Sequence, residues 1–250
     1  MLTRAQIQRL AQRNGIGMQA QERDYLQHLL LFLLFQRTQT LVFKGGTALR
    51  IVYRGNRYSE DLDFNSEGEV EQLHETWKEV VQGLEAFGAR GEVRNEWVGE
   101  AGYSFDVSYQ GPLYDGRDRT KGKVRVDLNR RPEQVEMRQA LVSPEYDDLR
   151  PFVVTTITLE HMLAEKVRAL LTRGKPRDLY DLWLLTQQGV EVDLSLIQKK
   201  LALYDLEYNQ AMFETALDNV RTDWARDLKP LLPQFVSWEA VKKGLEHKLL

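Results

Sequence analysis

The sequence predicts an α+β fold: a mixed β-sheet flanked by helices, followed by a mostly helical C-terminal lobe. Three observations predict it. Short stretches that alternate apolar and polar residues, the mark of half-buried strands, recur along the first half of the chain. Longer stretches with apolar residues at helical spacing separate them. Beyond Ser143–Pro151 the alternation gives way to helical periodicity, apart from one short segment, VVTTI. These observations place an α/β domain at 1–150 and a mostly helical domain at 151–250.

Each element has a local reason. Residues 3–13 read as a helix that Thr3 can cap, with Gln6 three positions on to close a capping box. Residues 18–37 carry the Leu/Phe-rich face of a second helix. TLVFKGG is a short apolar strand ending in two glycines, and TALRIVYR reads as a helix that opens immediately after them. SEDLDFN is a strand, and 69–88 a helix. Strands at 91–98, 102–109 and 122–129 come next, punctuated by Gly, Pro and Asp, with a further one at 135–142. In the second half Thr158 can cap a helix to about Arg173, Gly189 stops a helix that begins near Arg177, and Ser237 can cap the last one.

Composition excludes several classes. The 250 residues contain no cysteine, which removes disulfides, thiolate zinc sites and Cys nucleophiles, and fits a reducing compartment. The longest apolar run, Leu29 to Phe35, is far short of the ~20 residues a spanning helix needs. With no apolar signal core at the N-terminus, a cytoplasmic protein without a membrane partner is expected. The net charge of −3 does not advertise nucleic acid. Basic clusters at 117–125, at Arg130 and Arg131, and at 173–177 leave room for it, although such runs usually are solvated surface.

Two patterns carry chemistry. Gly45 and Gly46 stand between a strand and a helix, where backbone N–H groups can face an open space. With the hydroxyl of Thr47, they could cradle phosphate. The same residues also describe a tight turn, and the Walker spacing is absent. Asp61 and Asp63 project on one face of a strand while Leu62 and Phe64 project on the other. Two carboxylates held together repel, and a divalent cation such as Mg²⁺ removes the conflict. A solvated strand edge is the plain alternative. The order, glycine turn first and paired carboxylates on the next strand, favours the site. Asp127 in KVRVDLNRR can complete a three-carboxylate metal site able to hold two Mg²⁺ ions. Asp106 in YSFDVSYQ competes for the role, and Asp127 is preferred for its more basic neighbours.

At these residues the chain resembles the nucleotidyltransferase superfamily, whose pattern is GG[ST], a spacer, [DE]-x-[DE], and a third carboxylate on a later strand. Thirteen residues separate Thr47 from Asp61 here, toward the long end of that pattern. The segment EHMLAEKVRALLTRGKPRDLYDLW resembles the C-terminal motif of AbiEii-type toxins, the abortive-infection, MenT-like branch of type IV toxin–antitoxin systems. The resemblance covers roughly residues 41–185 and implies a nucleotidyltransferase-like sheet whose helical domain contributes to the active site. In that branch a lysine on one helix and an aspartate on the next join the site. The carry-over gives those roles to Lys166 and Asp178, with Arg177 and Asp181 as near neighbours. Independently, Lys166 falls inside the apolar stripe of Leu159, Met162, Leu163, Val167 and Leu170, where an ammonium must find an anion.

The resulting expectation is an enzyme. An NTP binds over Gly45, Gly46 and Thr47 with its Mg²⁺ on Asp61 and Asp63. An acceptor hydroxyl aligned by Asp127 attacks the α-phosphorus, and Lys166 neutralises phosphate charge. The resemblance implies an RNA acceptor, such as a tRNA 3′ end, and a cognate antitoxin. Arg54, Arg57 and the basic clusters are candidate RNA-backbone contacts. Rival readings are a different D-x-D enzyme, such as a metal-dependent glycosyltransferase or phosphatase; a housekeeping nucleotidyltransferase acting on a small molecule or protein; and a non-catalytic nucleotide- or partner-binding module.

Overall fold

The alternating segments become seven strands: β1 (Val42–Lys44), β2 (Asp61–Asn65), β3 (Arg90–Gly99), β4 (Gly102–Gln110), β5 (Gly122–Asn129), β6 (Met137–Val142) and β7 (Phe152–Ile157). All belong to one sheet, in the order β3-β4-β5-β2-β1-β7-β6. It is a mixed sheet: β2 runs parallel to β5 and β1 parallel to β7, while the other neighbours are antiparallel. This computed structural model describes residues 1–245; residues 246–250, the end of the expected helical domain, lie outside the described residues. The chain divides into two compact units, Met1–Ile157 and Thr158 onward.

That division falls later than the expected boundary at 150, and the cause is β7. VVTTI belongs to the sheet. It pairs with β1 through Phe43 and Thr156, and the Thr156 hydroxyl donates to the Phe43 carbonyl at 2.7 Å. This pairing joins segments more than a hundred residues apart, which local periodicity cannot register.

One face of the sheet is apolar and builds the core of the first unit. Phe43, Leu62, Phe64, Phe105, Val107, Val124 and Val126 are all 0% exposed. Trp77, from α4 (Val70–Gly83), joins Phe64 and Phe105 in edge-to-face contact at 5.7 and 5.4 Å between ring centroids. Each such side chain contributes roughly 1.5–3 kcal/mol on removal from water. Helix α1 (Arg4–Asn14) starts at the predicted capping box of Thr3 and Gln6. Helix α2 (Met18–Phe35) buries the run from Leu29 to Phe35 on nearly every side. Helix α3 (Gly45–Ile51) begins at the first glycine, earlier than predicted.

In the second unit, α5 (Leu159–Arg173) and α6 (Pro176–Gln187) form a pair, followed by α7 (Leu194–Ala202), α8 (Gln210–Asn219), α9 (Trp224–Leu228) and α10 (Trp238–Leu245). Thr158 occupies the N-cap position of α5, but its hydroxyl makes no cap bond and is buried without a hydrogen-bond partner. Ser237 does cap α10, accepting from the Ala240 N–H at 3.2 Å.

Candidate active site

The opposite, polar face of the sheet carries the predicted carboxylates. Residues paired across a ladder project to the same side. One row of partners therefore runs Lys44, Asp63, Asp127 and Ser104 across β1, β2, β5 and β4. The next row runs Asp61, Arg125 and Asp106. Neighbouring strands lie about 4.8 Å apart, so Asp63 and Asp127 are immediate neighbours on separate segments. The ladder thus places Asp61, Asp63 and Asp127 on one face of adjacent strands, while Leu62, Phe64, Val126 and Leu128 anchor the same strands in the core.

The glycine turn is built against this row. Gly45 has φ +75°, a left-handed backbone that a Cβ disfavours. A Cβ there would also strike the Asp63 side chain, meeting Cγ at 2.8 Å and Cβ at 2.9 Å. At Gly46 the missing Cβ makes room for the Arg57 guanidinium and for Ser59 Oγ, which a Cβ would meet at 2.9 Å. Each glycine therefore accepts a side chain, a more specific requirement than the open cradle anticipated from sequence. Asp63 is set on the turn at the start of α3, where unpaired N–H groups collect.

Two expectations change here. Thr47 is 0% exposed, and its hydroxyl donates to the Asp61 backbone carbonyl. It ties α3 to β2, and the buried hydroxyl faces protein. Arg57 is 2% exposed and donates to the Tyr58 carbonyl at 2.9 Å, so it is a framework residue and not an RNA-backbone contact. Arg54 is exposed.

Asp127 and Asp106 are alike in sequence and differ in surroundings. Asp127 keeps a 46% exposed side chain, with Arg125 Nε at 3.5 Å. Asp106 is 5% exposed, accepts from Asn95 Nδ2 at 2.8 Å, and is flanked by Lys123 at 3.5 Å and Arg125 at 3.4 Å. Burial pushes the Asp106 carboxyl up, but the Asn95 bond and the two cations outweigh it and hold the group below its usual range. Asp106 is thereby engaged as the anchor of Arg125 and Lys123.

Among the described residues, no group of three or more His, Cys, Asp or Glu side chains is arranged to hold a metal ion, so the expected three-carboxylate cluster of Asp61, Asp63 and Asp127 is not formed as such. The donor chemistry of Asp61 and Asp63 still fits Mg²⁺, which takes one or two carboxylates and completes its shell with substrate and water oxygens.

The second unit holds its own buried charge cluster. Lys166, 5% exposed, lies 2.7 Å from Asp181 and 3.3 Å from Asp178. Arg173 donates to both Asp178 oxygens, each at 2.7 Å. Burial raises the Asp178 carboxyl, and Lys166 and Arg173 more than offset this, leaving it lowered to about 2. Asp178 thus secures Arg173, and Asp181 takes the closer contact with Lys166. The basic clusters are largely met locally as well: Arg117 by Asp115, Lys121 by Asp118, Arg130 by Glu69.

A glycine turn opening a short helix, with a D-x-D strand packed on it in a mixed sheet, defines a nucleotidyltransferase. The family described as "Nucleotidyl transferase AbiEii toxin, Type IV TA system" matches residues 29–245, and the chain belongs to it. Solved structures agree at the level of fold. MenT4, a nucleotidyltransferase toxin from Mycobacterium tuberculosis, is 24% identical with a TM-score of 0.58, over 91% of this chain and 73% of that one. JHP933 from Helicobacter pylori is 21% identical with a TM-score of 0.63, over 92% of this chain and 90% of that one. No curated protein matches the sequence. Among the described residues no helix is long and apolar enough to cross a membrane.

Proposed function

We propose that this nucleotidyltransferase transfers a nucleoside monophosphate from an NTP to an RNA acceptor such as a tRNA 3′ end, with Mg²⁺, as the cytoplasmic toxin of a toxin–antitoxin pair. The observation that carries the reading is the row of partners in which Asp63, set against Gly45, stands beside Asp127. Asp61 and Asp63 would hold Mg²⁺ with the triphosphate, and the first-turn N–H groups of Gly45, Gly46 and Thr47 would face the phosphates. Bound Mg²⁺ supplies charge neutralisation and lowers the pKa of the acceptor hydroxyl; a two-ion form would draw on Asp127 as well.

Asp127, open to solvent, accepts a hydrogen bond from the acceptor hydroxyl and orients it. The hydroxyl oxygen bonds to the α-phosphorus. The bond from that phosphorus to the α,β-bridging oxygen breaks, pyrophosphate leaves with the electron pair, and the hydroxyl proton passes to solvent. Catalysis on this reading is positioning and electrostatics. The roles of Lys166 and Asp178 are carried over from the family resemblance alone.

The test is to incubate the purified protein with total tRNA, Mg²⁺ and each labelled NTP in turn. Label in the tRNA fraction with one or more NTPs supports the reading. No label with any of the four overturns the RNA acceptor.

A further inference from the structure

We propose that Trp97 is a stacking platform for a base of the acceptor strand, placed by a bulge on the same sheet face as the carboxylates. The inference rests on the RNA-acceptor reading above and adds a binding residue to it.

Trp97 is 58% exposed, and β3 would not normally deliver it to this face. Arg94 pairs with Asp106 on β4, so Arg94 looks to the carboxylate side. Strict alternation would then send residue 97 to the core side. The register shifts between Arg94 and Trp97: the next partners are Trp97 and Ser104, which leaves one extra residue on β3. Asn95 takes φ +52°, in the left-handed region, and its side chain bonds Asp106. This bulge exchanges the faces of the residues beyond it. Glu96 turns to the other side, where it accepts from the Tyr103 hydroxyl at 2.5 Å and lies 2.8 Å from His74. Trp97 turns to the polar side, in the row that continues through Ser104 to Asp127 and Asp63.

Two glycines make the seat. A Cβ on Gly99 would meet the indole Cζ3 at 3.0 Å, and one on Gly102, across the ladder on β4, would meet it at 3.4 Å. The indole lies over bare backbone with its outer surface open. Two strand spacings separate it from Asp127, roughly 10 Å. A stacked strand covers that distance in about three nucleotides at ~3.4 Å each. Cations border the path on one side: Arg94, in register with Asp106, and Arg125, in register with Asp61 and Asp106. An open aromatic flanked by cations is the combination that holds single-stranded nucleic acid without reading its sequence. A base two or three positions back from the reacting 3′ end would rest on Trp97.

The experiment measures binding of a fluorescein-labelled single-stranded oligoribonucleotide of mixed sequence by anisotropy, without NTP, for wild type, Trp97→Ala and Trp97→Phe. The expected result is about tenfold weaker binding for Trp97→Ala, near wild-type binding for Trp97→Phe, and an unchanged Mg²⁺–NTP melting shift in both. Equal binding by Trp97→Ala, no binding by wild type, or loss of the NTP shift in place of RNA binding would each overturn the platform. Should the oligonucleotide bind through Trp97 and yet never become labelled in the transfer assay, the platform stands and the transfer reading fails.

Discussion

Asp63 and Asp127 are direct partners on the parallel strands β2 and β5, and the Asp63 side chain is set against the backbone of Gly45. The sheet, and not a loop, fixes the spacing between these two carboxylates. A displaced side chain at either position therefore alters the site without the fold compensating for it.

Gly45→Ala should disturb this arrangement most directly. The substitution asks an L-residue to hold φ +75° and drives a methyl group against Asp63. The left-handed backbone alone costs about 1–2 kcal/mol, or a melting temperature several degrees lower in a chain of this size. Nucleotidyl transfer should be lost while circular dichroism stays native-like. Wild-type activity in this variant would separate the turn from the chemistry.

The two rival third carboxylates should part in their phenotypes. Asp127→Asn should lower kcat by about 100-fold and leave melting almost unchanged, as its side chain is 46% exposed. Asp106→Asn removes the charge that faces Lys123 and Arg125 in a buried position. It should cost about 1–3 kcal/mol of stability and under tenfold in kcat. The reverse pattern would move the third role to Asp106.

Thr47 should behave as a strut. Thr47→Ser keeps the bond to the Asp61 carbonyl, whereas Thr47→Val leaves that buried carbonyl without its donor. Thermal melting should show the valine variant about 1–2 kcal/mol less stable and the serine variant near wild type. Equal losses from both would show that the hydroxyl bond is not what matters.

The Lys166 cluster predicts an acid-sensitive second unit. The Asp178 carboxyl is lowered to about 2 from an ordinary 3.8, so its contribution is complete above pH 3.8 and is lost as pH falls through about 2. Denaturant titrations across that window should show stability falling on the order of 2 kcal/mol from this group, and Asp178→Asn should flatten that part of the profile. Lys166→Met leaves Asp178 and Asp181 buried with one cation fewer and should destabilise by about 3–5 kcal/mol. Loss of activity in that variant counts toward catalysis only when the protein is shown to be folded under assay conditions.

Much of the site is legible in the sequence because it is local. The alternation in SEDLDFN and KVRVDLNRR assigns Asp61, Asp63 and Asp127 to one side of their strands, and the apolar stripe of α5 marks Lys166 as needing an anion. What sequence cannot supply is register. Asp106 and Asp127 sit in equally alternating strands, and only the ladder shows that one faces Asp63 while the other is enclosed by Asn95, Lys123 and Arg125. The parallel pairing of β7 with β1 is likewise non-local, which is why periodicity alone groups VVTTI with the helices after it. The bulge at Asn95 leaves no clear pattern, yet it decides the side on which Trp97 emerges. Arg57 reads as a surface cation, and its burial against Gly46 comes from tertiary packing alone.

The most direct test of the central claim is the rate at which wild type and Asp63→Asn incorporate labelled nucleotide into tRNA at saturating NTP and Mg²⁺, with circular dichroism and melting recorded on the same samples. A folded Asp63→Asn protein with incorporation reduced to background is the predicted result. Incorporation at the wild-type rate by that folded variant would contradict it.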